Sequence, residues 1–282
     1  MKNTNLINNR LFVGYKEKGI TSNFFLKKIK RKYSVKKAGY SGTLDPFADG
    51  VLILAFGQYT KLFNYLSKSP KTYQATLHLG AYSPTLDNEQ IEKIDEIEKI
   101  DINFLEKTLQ NLKGEIKYLP PKYSAKNING KRAYELARDG KEFELKKIKS
   151  TIFDIKLIDY MHPFIKFEIT ISEGGYIRSM GEIIANKLGT VGALVALTRT
   201  KEGKFYFNNE KSLNPLDFLK TKENFYTGSY EDILLGRKLD TNSFKNKNDG
   251  IYHLTKDNFL TIIEIKNSEI KYKLNRIRMQ GC

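Results

Sequence analysis

Apolar and polar positions along the chain mark out its elements before any composition is considered. Leu11, Phe12, Val13 and Tyr15 form a short apolar run that predicts a first strand over 11–15. Thr21 or Ser22 then caps a helix predicted to reach about residue 33. Phe25, Ile29 and Tyr33 share one of its faces at i, i+4, i+8, while Lys27, Lys28, Lys30, Arg31 and Lys32 occupy the rest. The run 51–56 is continuously apolar and predicts a buried strand. Gly57 turns the chain into a short helix over about 59–66, and 71–79 alternates as a strand. Asn103 and Glu106 stand three apart, as in a capping box, and predict a helix to about residue 112. A short strand over 113–117 precedes Pro120-Pro121. Residues 121–138 then predict an extended loop, a turn at Gly130 and an amphipathic helix. Strands are predicted over 149–160 and 164–173. Gly174-Gly175 permits close backbone approach at the start of a helix carrying Ile177, Met180, Ile184 and Leu188 on one face. Gly189 ends that helix before a strand over 193–200.

Strands and helices are interspersed without strict βαβ alternation and without an internal repeat. The expected class is α+β, a mixed and largely antiparallel sheet flanked by helices. Residues 1–220 are expected to form the main domain and 221–282 a linker with a short C-terminal β extension, in which 260–265 and 269–274 look β-like. The last forty or so residues are too few to bury a core of their own, so this extension is expected to pack on the main domain.

Composition adds a partner. The chain of 282 residues has 48 Lys and Arg against 32 Asp and Glu, a net charge of +16. Clustered cations gain affinity for phosphates by releasing counterions, so nucleic acid leads the candidates, although lysine richness alone produces many basic proteins. The order of the charges favours the partner: the basic helix runs through Lys36 and Lys37 into a loop with one central acid. Between 87 and 101 the balance reverses, with seven acids against two lysines; this acidic segment is expected to point away from the nucleic acid. Its Ile91, Ile94, Ile97 and Ile100 suggest that one side still packs. The single cysteine, Cys282, excludes a disulfide framework and a CxxC metal site. His78, His162 and His253 stand far apart. No metal or cofactor is expected. No apolar stretch approaches the length of a membrane span and residues 1–10 are polar, so a soluble, cytoplasmic protein is expected.

The most informative segment is Ala38-Gly39-Tyr40-Ser41-Gly42-Thr43-Leu44-Asp45-Pro46-Phe47-Ala48-Asp49-Gly50. It packs glycines, a proline and a central carboxylate between a basic helix and an apolar strand. Taken alone, Asp45-Pro46 is most simply a turn. The whole segment resembles the catalytic loop of the TruB-type tRNA pseudouridine synthases, Gly-His-Thr-Gly-x-Leu-Asp-Pro-x-Ala-x-Gly, with Tyr40 where the family usually has His. Lys71-Thr72-Tyr73-Gln74-Ala75, the segment 121–138, Gly174-Gly175-Tyr176-Ile177-Arg178 and Leu197-Thr198-Arg199 resemble further blocks in the family's order, and the likeness spans about residues 9–220.

The resemblance implies a stand-alone isomerase that converts uridine 55 in the T-arm of tRNAs to pseudouridine, without metal or cofactor and as a monomer. It makes Asp45 the catalytic carboxylate, acting at the base or at the sugar, and Arg178 its partner, which favours the charged acid against burial. Tyr73 matches the tyrosine that stacks on the target base and is assigned proton transfer; a half-buried strand aromatic is its ordinary alternative. Tyr176 and Leu197 match walls of the base pocket, since an enzyme acting inside folded RNA must flip its base out. Lys61 matches a lysine near the loop and is either a phosphate contact or simply solvated. Tyr40 keeps the ability to stack but has no titrating imidazole. Ser83-Pro84-Thr85-Leu86-Asp87 keeps only Thr85 and Asp87 of the family's acidic run and is expected to support substrate binding. Three rivals stand beside this reading. One is a guide-RNA-dependent relative, which would carry a full C-terminal RNA-binding domain. Another is a non-catalytic RNA chaperone. The third is a glycoside hydrolase using Asp45 and Asp49, which are too close in one loop to flank a sugar.

Overall fold

The computed structural model describes residues 9–280; Cys282 and most of the polar segment 1–10 lie outside them. The chain opens with β1 (Arg10–Lys16), α1 (Ser22–Lys32), β2 (Ala38–Ser41) and β3 (Asp49–Phe56). A 3-10 segment, Gly57–Tyr65, leads to β4 (Lys71–Leu79). A small ladder of β5 (Ala81–Tyr82) and β6 (Lys93–Ile94) precedes α2 (Ile102–Gln110) and β7 (Gly114–Tyr118). A second, β8 (Asn127–Ile128) with β9 (Lys131–Arg132), runs into α3 (Ala133–Arg138). After β10 (Ile148–Met161), β11 (Phe164–Ile171), α4 (Ile177–Lys187) and β12 (Gly192–Glu202), the principal sheet is complete. Its order is β1-β3-β12-β4-β11-β10-β7, with β2 also on β3. Only the β3–β12 pairing is parallel, as the α+β expectation required of a largely antiparallel sheet.

Strand alternation gives β1 and β3 two buried faces. Phe12, Leu52, Leu54 and Phe56 meet Phe25 and Ile29 of α1, while Leu11, Val13, Val51 and Ile53 face the 3-10 segment and the C-terminal strands. The hydroxyl of Thr21 accepts from the Phe24 N–H at 3.1 Å and starts α1 where the sequence placed it. In α4, Ile177, Met180 and Ile184 are all buried against β4 and β12. In α2 the cap is Asp101, whose carboxylate accepts from Phe104 N–H at 2.9 Å; the Asn103 capping box does not form because the helix has already begun at Ile102.

The C-terminal strands correct a second expectation. β13 (Lys222–Glu223), β14 (Gly250–Lys256), β15 (Phe259–Lys266) and β16 (Glu269–Arg278) make a four-stranded sheet, with α5 (Tyr230–Leu235) between the first two. One of its faces does build a local core, Ile233, Leu239, Phe244, Tyr252, Leu254, Ile263 and Ile265, because α5 and residues 239–244 cover it. The other face, through Leu260, Ile262 and Ile277, joins the core under β1 and β3 as expected. No helix among the described residues is long and apolar enough to cross a membrane.

Lys16, at the end of β1, is fully buried. Its ammonium donates to the carbonyls of Glu17 (2.9 Å), Ile20 (2.8 Å) and Pro46 (3.5 Å), tying the turn after β1 to the loop that carries Asp45. Burial pulls its pKa down to about 8 from 10.5, against the pull of Asp49 and Asp45. Below pH 8 the folded and unfolded chains both hold this proton. Between about 8 and 10.5 the unfolded chain binds more, so stability from this group rises with pH and levels off above that window. Melting curves of the wild type and Lys16→Met should therefore diverge across pH 8–10.5, the wild type gaining. A difference that stays flat over that range would contradict a lysine whose charged form is disfavoured by burial at this position.

Candidate active site

The Asp45 loop arises where one edge of β3 changes partner. β1 follows the other edge from Arg10↔Phe56 to Lys16↔Gly50. β2 pairs with residues 53–56 of β3 and ends at Ser41↔Ile53, whereas β12 pairs with Asp49 and Gly50. Residues 42–48 are displaced from the ladder between them. Leu44, Phe47 and Ala48 are buried and root the loop. The Ser22 hydroxyl, in the first turn of α1, accepts from Leu44 N–H (2.9 Å) and donates to Leu44 C=O (3.0 Å), and Gly19 N–H donates to Pro46 C=O (2.8 Å). Asp45 is lifted into solvent on this base, its side chain 37% exposed.

Arg178, in the first turn of α4, is only 5% exposed. A buried cation at a helix N-terminus is opposed by the macrodipole and by desolvation, so it must be compensated. Asp45 Oδ2 lies 3.0 Å from its Nε and Asp87 Oδ2 lies 3.1 Å from Nη1. Nη1 also donates to Thr85 C=O and Nη2 to Tyr123 C=O, both at 2.8 Å. Asp87 is itself held: its Oδ1 accepts from the Thr85 hydroxyl (2.6 Å) and from Glu89 N–H (3.1 Å), and the Ser83 and Thr85 hydroxyls share a bond of 2.9 Å. The result is a chain from Ser83 to Asp45 in which only the last group is open. Among the described residues Asp45 Oδ1 has no hydrogen-bond partner.

Two cavities meet at this pair, both lined by Thr43, Leu44, Asp45, Ala125 and Arg178. The first, about 290 Å³, has Tyr73, Tyr176 and Leu197 among its walls, with Lys71, Glu173 and Arg199. The second, about 440 Å³, is lined by Tyr40, Asp87, Glu89, Tyr123, Tyr134, Arg132 and Arg138. Tyr73 is buried on β4, and Tyr176 is placed by its N–H donating to the Tyr118 hydroxyl at 3.0 Å. Burial also raises the Tyr176 phenol pKa. The structure thus gathers Asp45, Tyr73, Tyr176, Arg178 and Leu197 around one space from four separate segments. Tyr40 stands in the adjoining one, its hydroxyl donating to Asn23 Oδ1 at 3.0 Å. Lys61 lies exposed on the 3-10 segment and lines neither cavity.

Beyond Asp45, Arg178 is held by Asp87, Thr85 and Tyr123, which the family resemblance does not assign to it. In the loop expected to support substrate binding, the Asp87 carboxylate meets the guanidinium, and Tyr118 and Tyr123 brace the same region. The acidic segment is likewise not wholly turned away: Asp87 and Glu89 face the second cavity, and burial and the Asp87 charge raise the Glu89 pKa. Ile97 and Ile100 pack against the core, whereas Ile91 and Ile94 are exposed. Lys27, Arg31, Lys36 and Lys37 remain exposed, while Lys28 and Lys32 pair with Glu17 and Glu210.

Comparison with known proteins bears on this constellation. Residues 30–177 match the family model described as TruB family pseudouridylate synthase, N-terminal domain. The chain is 53% identical over 269 residues to tRNA pseudouridine synthase B of Sulfurovum sp. (strain NBC37-1), covering 95% of this chain and 97% of that one. It is 52% identical to tRNA pseudouridine synthase B of Sulfurimonas denitrificans, covering 95% and 99%. Its fold matches Cbf5 in a Cbf5–Nop10–Gar1 complex with a TM-score of 0.68, at 17% identity, over 97% of this chain and 85% of that one. An H/ACA RNP bound to a substrate RNA containing 2′-deoxyuridine matches with a TM-score of 0.66. The pseudouridine-synthase fold, the matched domain and the identity over nearly the full length agree: the chain belongs to the TruB family of pseudouridylate synthases.

Proposed function

We propose that the protein isomerises uridine to pseudouridine at position 55 in the T-arm of tRNAs, with Asp45 as the catalytic carboxylate. The observation that carries this reading is the Asp45–Arg178 pair, at 3.0 Å, standing between two cavities, one walled by Tyr73, Tyr176 and Leu197 and the other by Tyr40, Tyr123, Arg132 and Arg138 beside Asp87 and Glu89. The curated relatives of nearly equal length support the tRNA substrate. The first cavity, about 290 Å³, falls at the small end of ligand sites and suits a single flipped nucleoside. Tyr176, Tyr73 and Leu197 replace the stacking that the base loses on leaving the RNA. The second cavity, with Tyr40, Arg132 and Arg138, takes the adjoining backbone and bases; Tyr40 stacks there without the proton chemistry of a histidine. Exposed cations of α1 and of residues 36–37 contact phosphates.

The reaction breaks the C1′–N1 bond, turns the uracil and joins C5 to C1′; C5 then loses its proton and N1 gains one. Arg178 occupies one oxygen of Asp45 and leaves the other for the sugar or the ring. Tyr73 lies against the base, and its hydroxyl relays the C5 proton. Asp87 and Thr85 keep Arg178 from rotating away. The protein is read as a cytoplasmic monomer, acting without metal or cofactor, with residues 1–220 as the catalytic unit.

Incubation with tRNA transcript tritiated at uridine C5 tests the reading. Wild type should release label from the T-arm site and Asp45→Asn none; tight tRNA binding without release by wild type would leave only an RNA-binding protein. Tyr73→Phe should slow release by about 10²- to 10⁴-fold at nearly unchanged KM. Removing one member of a buried ion pair costs about 3–5 kcal/mol, so Asp87→Ala should lower both thermal stability and turnover. An unchanged melting temperature would remove Asp87 from this role. Affinity for tRNA should fall steeply with salt, log K dropping about 0.7–0.9 per neutralised phosphate per decade.

A further inference from the structure

The guanidinium of Arg199 fills the gap in which β2 peels away from β3. Its Nε donates to Val51 C=O at 2.9 Å and its Nη2 to Gly42 C=O at 3.3 Å. Those two carbonyls stand on the two sides of the Asp45 loop, just beyond the last β2–β3 pair, Ser41↔Ile53. The planar fork of the guanidinium holds the two donors in fixed, divergent directions, whereas an ammonium at the end of a flexible stem would not fix both carbonyls in this geometry. Arg199 is 1% exposed, so this bridge lies in the interior and not at the surface.

A second group braces the bridge. Glu202, fully buried on the same strand, has Oε2 at 3.4 Å from Arg199 Nη2 and Oε1 at 3.2 Å from Lys71 Nζ. Neither oxygen is in a hydrogen bond, so these two ionic contacts hold the carboxylate in place. Lys71 stands two residues before Tyr73 on β4, and Arg199 two residues after Leu197 on β12; alternation puts each pair on one side of its strand. All four line the first cavity. The loop rests directly on this cluster: a Cβ at Gly42, where φ is +72°, would come within 3.0 Å of Lys71 Nζ, 3.1 Å of Glu202 Oε1 and 3.2 Å of Arg199 Nη1.

We propose that Arg199, braced by Glu202 and Lys71, is a positioning residue that sets the Asp45 loop against Tyr73 and Leu197. A buried ionic cluster adds little stability over apolar packing, so its contribution here is geometric. It joins the three segments whose separation decides whether the carboxylate reaches the base held between Tyr73 and Leu197. The proposal rests on the reading of Asp45 as the catalytic carboxylate.

Arg199→Lys keeps the charge and removes the two-point fork. Its kcat in the tritium assay should fall about 10²-fold with KM and tRNA affinity unchanged, the expected loss for a displacement near 1 Å. Hydrogen exchange should quicken at amides 42–50 and stay at the wild-type rate in α4 and β15. Wild-type kcat in a folded Arg199→Lys protein overturns the proposal, and so does a uniform rise in exchange across the sheet. Should that variant not fold, Glu202→Gln gives the same test: a fall in kcat at constant KM supports the brace, and wild-type kcat overturns it. Asp45→Asn run in parallel separates the two ideas. Label release by that variant would defeat the reading of Asp45, whereas loop exchange in Arg199→Lys still reports on the clamp.

Discussion

One edge of β3 serves two strands, and the site follows from that division. β2 takes residues 53–56 and β12 takes the first two residues, so the chain between β2 and β3 has no ladder to join. Backbone groups leaving a sheet must find other partners. Here Ser22, Gly19, Lys16 and Arg199 supply them. Gly50 makes the junction possible. Its φ is +114° and a Cβ would stand 2.2 Å from the Arg199 carbonyl oxygen, so a side chain there would drive β12 away from β3.

Charge is distributed to match that geometry. Around the first cavity, Asp45, Asp87 and Arg178 form a group with excess negative charge, while Lys71, Arg199 and Glu202 form one with excess positive charge. Each of these three buried cations has a carboxylate within 3.4 Å, Lys71 and Arg199 sharing Glu202, and that pairing is what makes their burial tolerable. Of the three carboxylates in these two groups, Asp45 alone combines a paired oxygen with an open one. The same ion pair that compensates Arg178 at the start of α4 therefore also orients the group best placed to react.

Much of the fold was legible because its periodicities are strong. Phe25 and Ile29 are buried on α1, Ile177, Met180 and Ile184 on α4, and Lys71–Leu79 alternates throughout. Where the reading failed, local signals competed. Asp101 and Asn103 are both capable caps two residues apart, and only the packing of Leu105 and Leu109 against β10 and α4 selects the first. The C-terminal core has no local signature because most of it, Ile233, Leu239, Phe244, Tyr252 and Leu254, comes from outside the β-like segments 260–265 and 269–274.

By itself the sequence determined most of the stretches that form strands and helices, that a central carboxylate sits in a glycine-rich loop after a basic helix, and, through its motif blocks, the family. Those properties are local: periodicity, capping chemistry and the order of residues within a motif. The tertiary structure alone decided what holds the site together. Asp87 reaches Arg178 across 91 positions of chain, and Arg199 reaches Gly42 across 157. Contacts of that kind are set by sheet order and by the demand that buried charges and carbonyls be paired, and neither leaves a periodic trace in the sequence.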